Sequence, residues 1–177
     1  MRRILVLLLG ALLGCAASSG GAGDADSGSD AGGACGVDPT PPGDASCPAV
    51  CTGGCDAGTC TIACEDTAAC NDRTIACPPD FACALVCDGG DACDSSTVQC
   101  PDGYACTITC VQGTDACGDM VVECGGASSC DIACADAPTV CIGAVLQCGT
   151  GSCAASCAGD SKADVECGDA CACEACS

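Results

Sequence analysis

Residues 105–117, ACTITCVQGTDAC, place Cys106, Cys110 and Cys117 within thirteen positions, and the arrangement recurs along most of the chain. Cys106, Ile108 and Cys110 alternate with Thr107 and Thr109. In an extended chain, alternate side chains point to opposite faces. The two cysteines and the isoleucine therefore share an inner face, and the strand-favouring threonines point outward. Gly113 then marks a turn that leads to Cys117.

Written from one cysteine to its equivalent, the chain aligns with itself over 77–99, 100–123, 124–147 and 148–166, with an imperfect earlier unit over 55–76. The period is 23 or 24 residues through the centre and 19 in the last unit. The Cys-x-aliphatic-x-Cys segment recurs as Cys60-Ile62-Cys64, Cys83-Leu85-Cys87, Cys106-Ile108-Cys110 and Cys130-Ile132-Cys134, and weakens to Cys153-Ala155-Cys157. A second alternating segment, aliphatic-x-Cys, recurs as Ile75-Cys77, Val98-Cys100, Val122-Cys124, Leu146-Cys148 and Val165-Cys167. Turn formers follow it: Pro78-Pro79, Pro101, Gly125-Gly126, Gly149 and Gly168. A third fixed cysteine (Cys70, Cys93, Cys117, Cys141) lies between the two segments. Phe81 and Tyr104 occupy equivalent slots 23 residues apart.

Two short strands per unit and a period in the low twenties predict a solenoid, because one such unit cannot bury its own face and stacking supplies a continuous core. The expected fold is all-β, a small disulfide-rich parallel β-solenoid (β-helix-like) of about five coils over 47–177. Cys167, Cys171, Cys173 and Cys176 crowd into ten residues and suit a C-terminal cap, with Cys35 and Cys47 closing the other end.

Composition decides what holds such a fold together. From residue 47 onward, Leu, Ile, Val and Phe supply only 17 of 131 residues, and the 177-residue chain carries a formal charge of −20. That balance ordinarily leaves a chain disordered, because too little apolar surface is available to offset backbone entropy. The 27 cysteines reverse it. At this density in an exported chain they form a crosslink framework, each bridge contributing roughly 2–4 kcal/mol.

The beginning of the chain points to export. Arg2-Arg3 precede an apolar run over 4–13, too short to span a bilayer but suited to a signal-peptide core. It closes on Leu12-Leu13-Gly14-Cys15, which resembles a bacterial lipobox. The resemblance implies a signal peptide over 1–14, cleavage before Cys15, lipidation of Cys15 and attachment to a membrane through that lipid. Ala16-Ala17 after the cysteine resemble lipoproteins sent to the outer membrane. Cleavage leaves 24 acids against Arg73 and Lys162, a formal −22, which excludes nucleic acid and basic-patch binding to anionic lipid. Lipidation of Cys15 leaves 26 cysteines, an even number that can all pair.

Residues 15–46 are the lipidated cysteine and an Ala/Gly/Ser/Asp/Pro segment with only Val37 as a sizeable apolar side chain. They read as a disordered, flexible linker, the 31 residues after Cys15 having a root-mean-square reach of about 30 Å. Because 47–177 contains an odd number of cysteines, Cys35 is expected to pair into the start of the domain, near Cys47 or Cys51.

Metal and redox chemistry fit poorly. Zinc sites favour C-x2-C and His, whereas C-x3-C dominates here and His is absent; only Cys171-Ala-Cys173-Glu-Ala-Cys176 has metallothionein-like spacing. Haem attachment (C-x-x-C-H) and a thioredoxin-type pair are also missing. No cofactor or metal is expected. The disulfide framework is expected to comprise Cys35, Cys47, Cys51, Cys55, the cysteines of the two recurring segments, the third fixed cysteines, and Cys171, Cys173 and Cys176. Cysteines four apart on one strand lie about 13 Å apart, so Cys106 and Cys110 cannot bond to each other. Partners within the coil and on a neighbouring coil both remain open.

Catalysis would have to rest on carboxylates. Asp72, Asp88, Asp91, Asp94, Asp102, Asp115, Asp119 and Asp136 cluster in turns and read as a solvated acidic rim. With two aromatic residues and short turns, no sugar-cleaving site is expected, and no enzyme activity. Acidic turns at coil spacing could hold Ca²⁺ weakly. An ice-binding face would need rows of Thr-x-Thr, and only Thr107/Thr109 provides one.

As a whole the chain resembles uncharacterised cysteine-rich repeat lipoproteins exported by Gram-negative bacteria, a likeness over roughly 47–177 that implies no assigned activity. The expected protein is a lipid-anchored envelope component at the outer membrane or cell surface, structural, protective or adhesive. A module binding Ca²⁺, or an unidentified surface protein or polysaccharide, is the alternative.

Overall fold

The structure, a computed structural model, describes residues 35–42 and 46–176. The expected signal peptide and Cys15 lie outside the described residues. Twelve strands form: β1 (Gly54–Asp56), β2 (Thr59–Cys64), β3 (Thr74–Ala76), β4 (Ala82–Asp88), β5 (Thr97–Gln99), β6 (Cys106–Gln112), β7 (Val121–Glu123), β8 (Ser129–Cys134), β9 (Ala144–Gln147), β10 (Ser152–Cys157), β11 (Ala163–Glu166) and β12 (Ala172–Glu174).

The Cys-x-aliphatic-x-Cys segments all enter one seven-stranded sheet, in the order β1-β2-β4-β6-β8-β10-β12, and the aliphatic-x-Cys segments enter a five-stranded sheet, β11-β9-β7-β5-β3. Every pairing is parallel except that of β1 with β2. The fold is thus a parallel β-solenoid of about five coils.

Register follows chemistry. Cys60, Cys83, Cys106, Cys130 and Cys153 are successive partners, as are Ile62, Leu85, Ile108, Ile132 and Ala155. In the second sheet Ile75, Val98, Val122, Leu146 and Val165 stack the same way. A slip of one residue would turn every one of these side chains outward, so burial fixes the register. Leu85, Ile108, Ile132, Leu146, Val98 and Val122 are fully buried, and so are Cys60, Cys87, Cys93, Cys110, Cys117 and Cys141.

A third wall closes each coil. Its residues alternate between right- and left-handed backbone, with positive φ at Ala68, Cys70 and Asp72, then Asp91, Cys93 and Ser95, then Asp115, Cys117 and Asp119, then Thr139, Cys141 and Gly143. Overlapping turns link each run internally; the Ala92 and Asp94 N–H groups donate to the Gly89 and Asp91 carbonyls. Other amides bond between coils: Asp91 N–H to Thr114 O at 2.8 Å, Cys93 N–H to Ala69 O at 2.9 Å and Ser95 N–H to Gly118 O at 2.8 Å. At Asp115 the N–H instead meets the Thr139 hydroxyl at 2.9 Å. Left-handed backbone costs a non-glycine residue about 1–2 kcal/mol. The stacked hydrogen bonds and the disulfide at each central cysteine hold it there. The spacing of the third cysteine implied only a turn at this place; the turns stack into a wall.

The corners are fitted by glycine. Gly113 has φ +110°, and a Cβ there would overlap the backbone of Gly89 in the coil below. Acidic side chains use the space that other glycines leave. The Gly126 N–H donates to Asp102 Oδ1 at 3.0 Å across one coil step, while Asp119 reaches over Gly143 and Asp136 over Gly159.

Candidate functional site

The expected site residues were cysteines, and all 26 from Cys35 to Cys176 are paired in thirteen disulfides. Their placement answers the question that spacing left open. Bonds run within a coil or across one corner, not between register partners. Cys64–Cys70, Cys87–Cys93, Cys110–Cys117 and Cys134–Cys141 join the end of a first-sheet strand to the turn wall. Cys77–Cys83, Cys100–Cys106, Cys124–Cys130, Cys148–Cys153 and Cys167–Cys173 join the second sheet to the next strand of the first. Cys51–Cys60 belongs to the N-terminal hairpin, where β1 covers the edge of β2.

Neighbouring disulfides touch. Cys100 Sγ lies 3.8 Å from Cys130 Sγ, and the sulfurs of Cys77, Cys83 and Cys106 lie within 4.8 Å of one another, as do those of Cys110, Cys117 and Cys141. Among the described residues, every group of three or more metal-type ligand atoms that converges this closely consists of such cysteines. Bonded sulfurs offer no thiolate to a metal.

The turn wall gathers Asp91, Asp94, Asp115 and Asp119. Burial raises Asp94 above the ordinary carboxylate range, the Ser95 hydroxyl opposes this, and the charges of Asp119, Asp91 and Asp115 raise it further. These acids do not converge on a point. Across the outward second sheet, Gln99 donates to Glu123 and Gln147 to Glu166, each at 3.2 Å, so part of the acidic surface is tied into ladders.

Both ends of the solenoid depart from the repeat, and here two expectations are corrected. Cys35 does not pair near Cys47 or Cys51; it is bonded to Cys171, 136 residues away, at the C-terminal coil. Cys47 bonds Cys55 in the first coil. The chain between them therefore runs as a strap along the solenoid, from its last coil back to its first. Asp38 Oδ2 accepts from the Ser129 hydroxyl at 2.9 Å, and Pro41 packs against Gly58. The linker expected over 15–46 consequently ends earlier, since 35–42 lie on the folded domain. Parity required a partner for Cys35, but the nearest cysteine in sequence was the wrong choice because an extended strap of twelve residues spans about 40 Å, enough to pass every coil.

Between strap and solenoid lies a shallow groove of about 480 Å³, lined by Val37, Pro39, Gly126, Ala127, Thr150 and Gly151 among others. Asp131, on β8, is raised first by burial and then by the charge of Asp38 on the strap. The exposed end cysteines differ from the rest. The Cys35–Cys171, Cys47–Cys55, Cys157–Cys176 and Cys167–Cys173 bonds have no fully buried member, whereas each of the other nine has at least one. No protein-family model matches the chain, and comparison with curated proteins and with solved structures finds no match.

Proposed function

We propose that this protein is a lipid-anchored component of the cell envelope whose disulfide-crosslinked solenoid serves a structural, protective or adhesive role without catalysis. One observation carries the reading: thirteen disulfides replace the large apolar side chains that the chain lacks. Such a core is stable only in an oxidising, extracytoplasmic environment. The Leu12-Leu13-Gly14-Cys15 motif supports attachment through lipid, and the low aromatic content and short turns support a scaffold rather than a reaction site.

A surface partner is the second reading, and the outer face of the first sheet favours it over a cation. Its central column is Thr61, Ala84, Thr107, Asp131 and Ala154, one carboxylate in five on a protein of net charge −20. A flat, nearly uncharged face on an acidic body suits an uncharged polymer or protein surface.

Expression in a Gram-negative host with fractionation tests the anchor: wild type is expected in the membrane fraction and Cys15→Ser in the soluble fraction. Unchanged partitioning of the variant overturns the anchor. Intact mass with thiol alkylation, before and after reduction, tests the crosslinked core. Many free thiols, or a stoichiometric metal, overturn that part.

A further inference from the structure

We propose that the Cys35–Cys171 disulfide is a thiol-exchange site, at which an external thiol releases the strap while the solenoid stays folded.

Access comes first. Exchange requires a thiolate to reach a sulfur. Cys171 is exposed and Cys35 half-buried, whereas the in-coil bonds are shielded by at least one buried cysteine each. Three other end bonds share this exposure, so a second criterion is needed: what happens once a bond opens. Cys167 and Cys173 are six residues apart and sit on coils held by backbone hydrogen bonds. Cys157 closes on Cys176 across 19 residues, with β10 and β12 paired in register. Cys47 closes on Cys55 across eight, beside a turn in which the Cys51 N–H donates to the Pro48 carbonyl. In each, the freed thiol stays beside its partner and recloses.

Cys35 is held differently. Residues 35–42 make no backbone–backbone hydrogen bond to the solenoid. Their polar attachment is the side-chain bond from Ser129 to Asp38, and beside it the Asp38 and Asp131 charges repel. Once the disulfide opens, the strap leaves, the local concentration of Cys35 at Cys171 falls, and reclosure slows.

The step balances without a further reactant. A small thiol, as thiolate, attacks Cys171 Sγ; the Sγ–Sγ bond breaks, Cys35 leaves as a thiolate and takes a proton from water, and a mixed disulfide remains on Cys171. A second thiol attacks that mixed disulfide, giving the oxidised small disulfide and a free Cys171 thiol. A dithiol does both steps itself.

The consequence is a change of attachment point. With the bond closed, the chain preceding Cys35 joins the domain at its last coil; with it open, the join moves to Cys47 at the first coil. The freed strap adds about 40 Å of chain. The exchange site stands on its own, and only the effect on an anchored domain rests on the lipid-anchor reading.

Titration of the oxidised full chain with dithiothreitol, with alkylation and peptide mapping at each step, tests this. Cys35 and Cys171 are expected to label about tenfold faster than any other pair, with strand circular dichroism retained. Cleavage by a protease specific for Asp should appear at Asp38 at the same step. The double variant Cys35→Ser/Cys171→Ser is expected to show that cleavage without reductant. Earlier labelling of any other pair, simultaneous labelling of all pairs, or loss of strand signal at the first step overturns the proposal. So does an Asp38 site in the double variant that remains as protected as in wild type.

Discussion

Cys106 and Cys130 are register partners on neighbouring strands, yet each is bonded to a cysteine of its own preceding corner, Cys100 and Cys124. The backbone ladder therefore holds coils to one another, while the disulfides fix the shape of each coil. The two kinds of bond divide the work that a large apolar core does elsewhere.

Removing one central in-coil bridge should therefore weaken the fold without dissolving it. Cys110→Ala/Cys117→Ala opens a loop of seven residues, and a loop of that size contributes about 2 kcal/mol. The double variant is expected to keep its strand content and to unfold at lower denaturant by about that amount. Chemical denaturation under non-reducing conditions measures it. Loss of all structure would show that a single coil cannot hold without its bridge.

Aliphatic side chains between the cysteines contribute beyond their number. Ile108 is fully buried between Leu85 and Ile132, whereas Thr107 beside it is exposed. Ile108→Ala is expected to cost about 2–5 kcal/mol through lost burial and a cavity, and Thr107→Ala less than about 1 kcal/mol. Equal effects in thermal melts would contradict the inward–outward assignment.

That assignment was legible because alternation by two depends on local geometry alone. Cys106, Ile108 and Cys110 announce their shared face within five residues, and recurrence at fixed spacing then sets the stacking. The turn wall was less legible. Left-handed backbone at Cys93 and Cys117 leaves no trace in residue type, since cysteine has no preference for it; only Asp72, Asp91, Asp115 and Asp119, which tolerate it better, hinted at the conformation. Cys35 was the hardest case. Its partner depends on the path of a strap whose composition is that of a linker, and no local rule reads a contact across 136 residues.

Glycine at the corners gives a sharper test of coil spacing than any core substitution. Gly113 combines φ +110° with a site where a Cβ meets the backbone of Gly89, which no side-chain rotation can relieve. Gly113→Ala is expected to destabilise by more than about 3 kcal/mol, combining backbone strain with overlap. Gly36 has open space around it and carries no such φ, so Gly36→Ala should be close to neutral. Comparing the two variants by non-reducing denaturation checks this; a mild effect at Gly113 would mean that the coils separate more easily than their hydrogen bonds imply.

Acidity should stabilise this protein before it harms it. Asp94 and Asp131 are both raised above 3.8 in the folded chain, each first by burial and then by neighbouring carboxylates, with the Ser95 hydroxyl opposing the rise at Asp94. A raised folded value means that the native state binds the proton more tightly than the unfolded chain does. Their contribution is therefore fully present below the unfolded value and is lost as pH rises through the folded one. Lowering pH from neutrality toward 3.8 should accordingly raise the unfolding midpoint, and reduction of the overall negative charge acts in the same direction. Asp94→Asn and Asp131→Asn remove the titrating groups, so each should raise the midpoint at pH 7 and flatten its dependence on pH. Asp131→Asn should in addition bind the strap more firmly, slowing cleavage at Asp38 at neutral pH, because Asp38 then faces no like charge. Midpoints that fall steadily from pH 7 downward in wild type would show that some other carboxylate, held ionised by the fold, dominates the acid response.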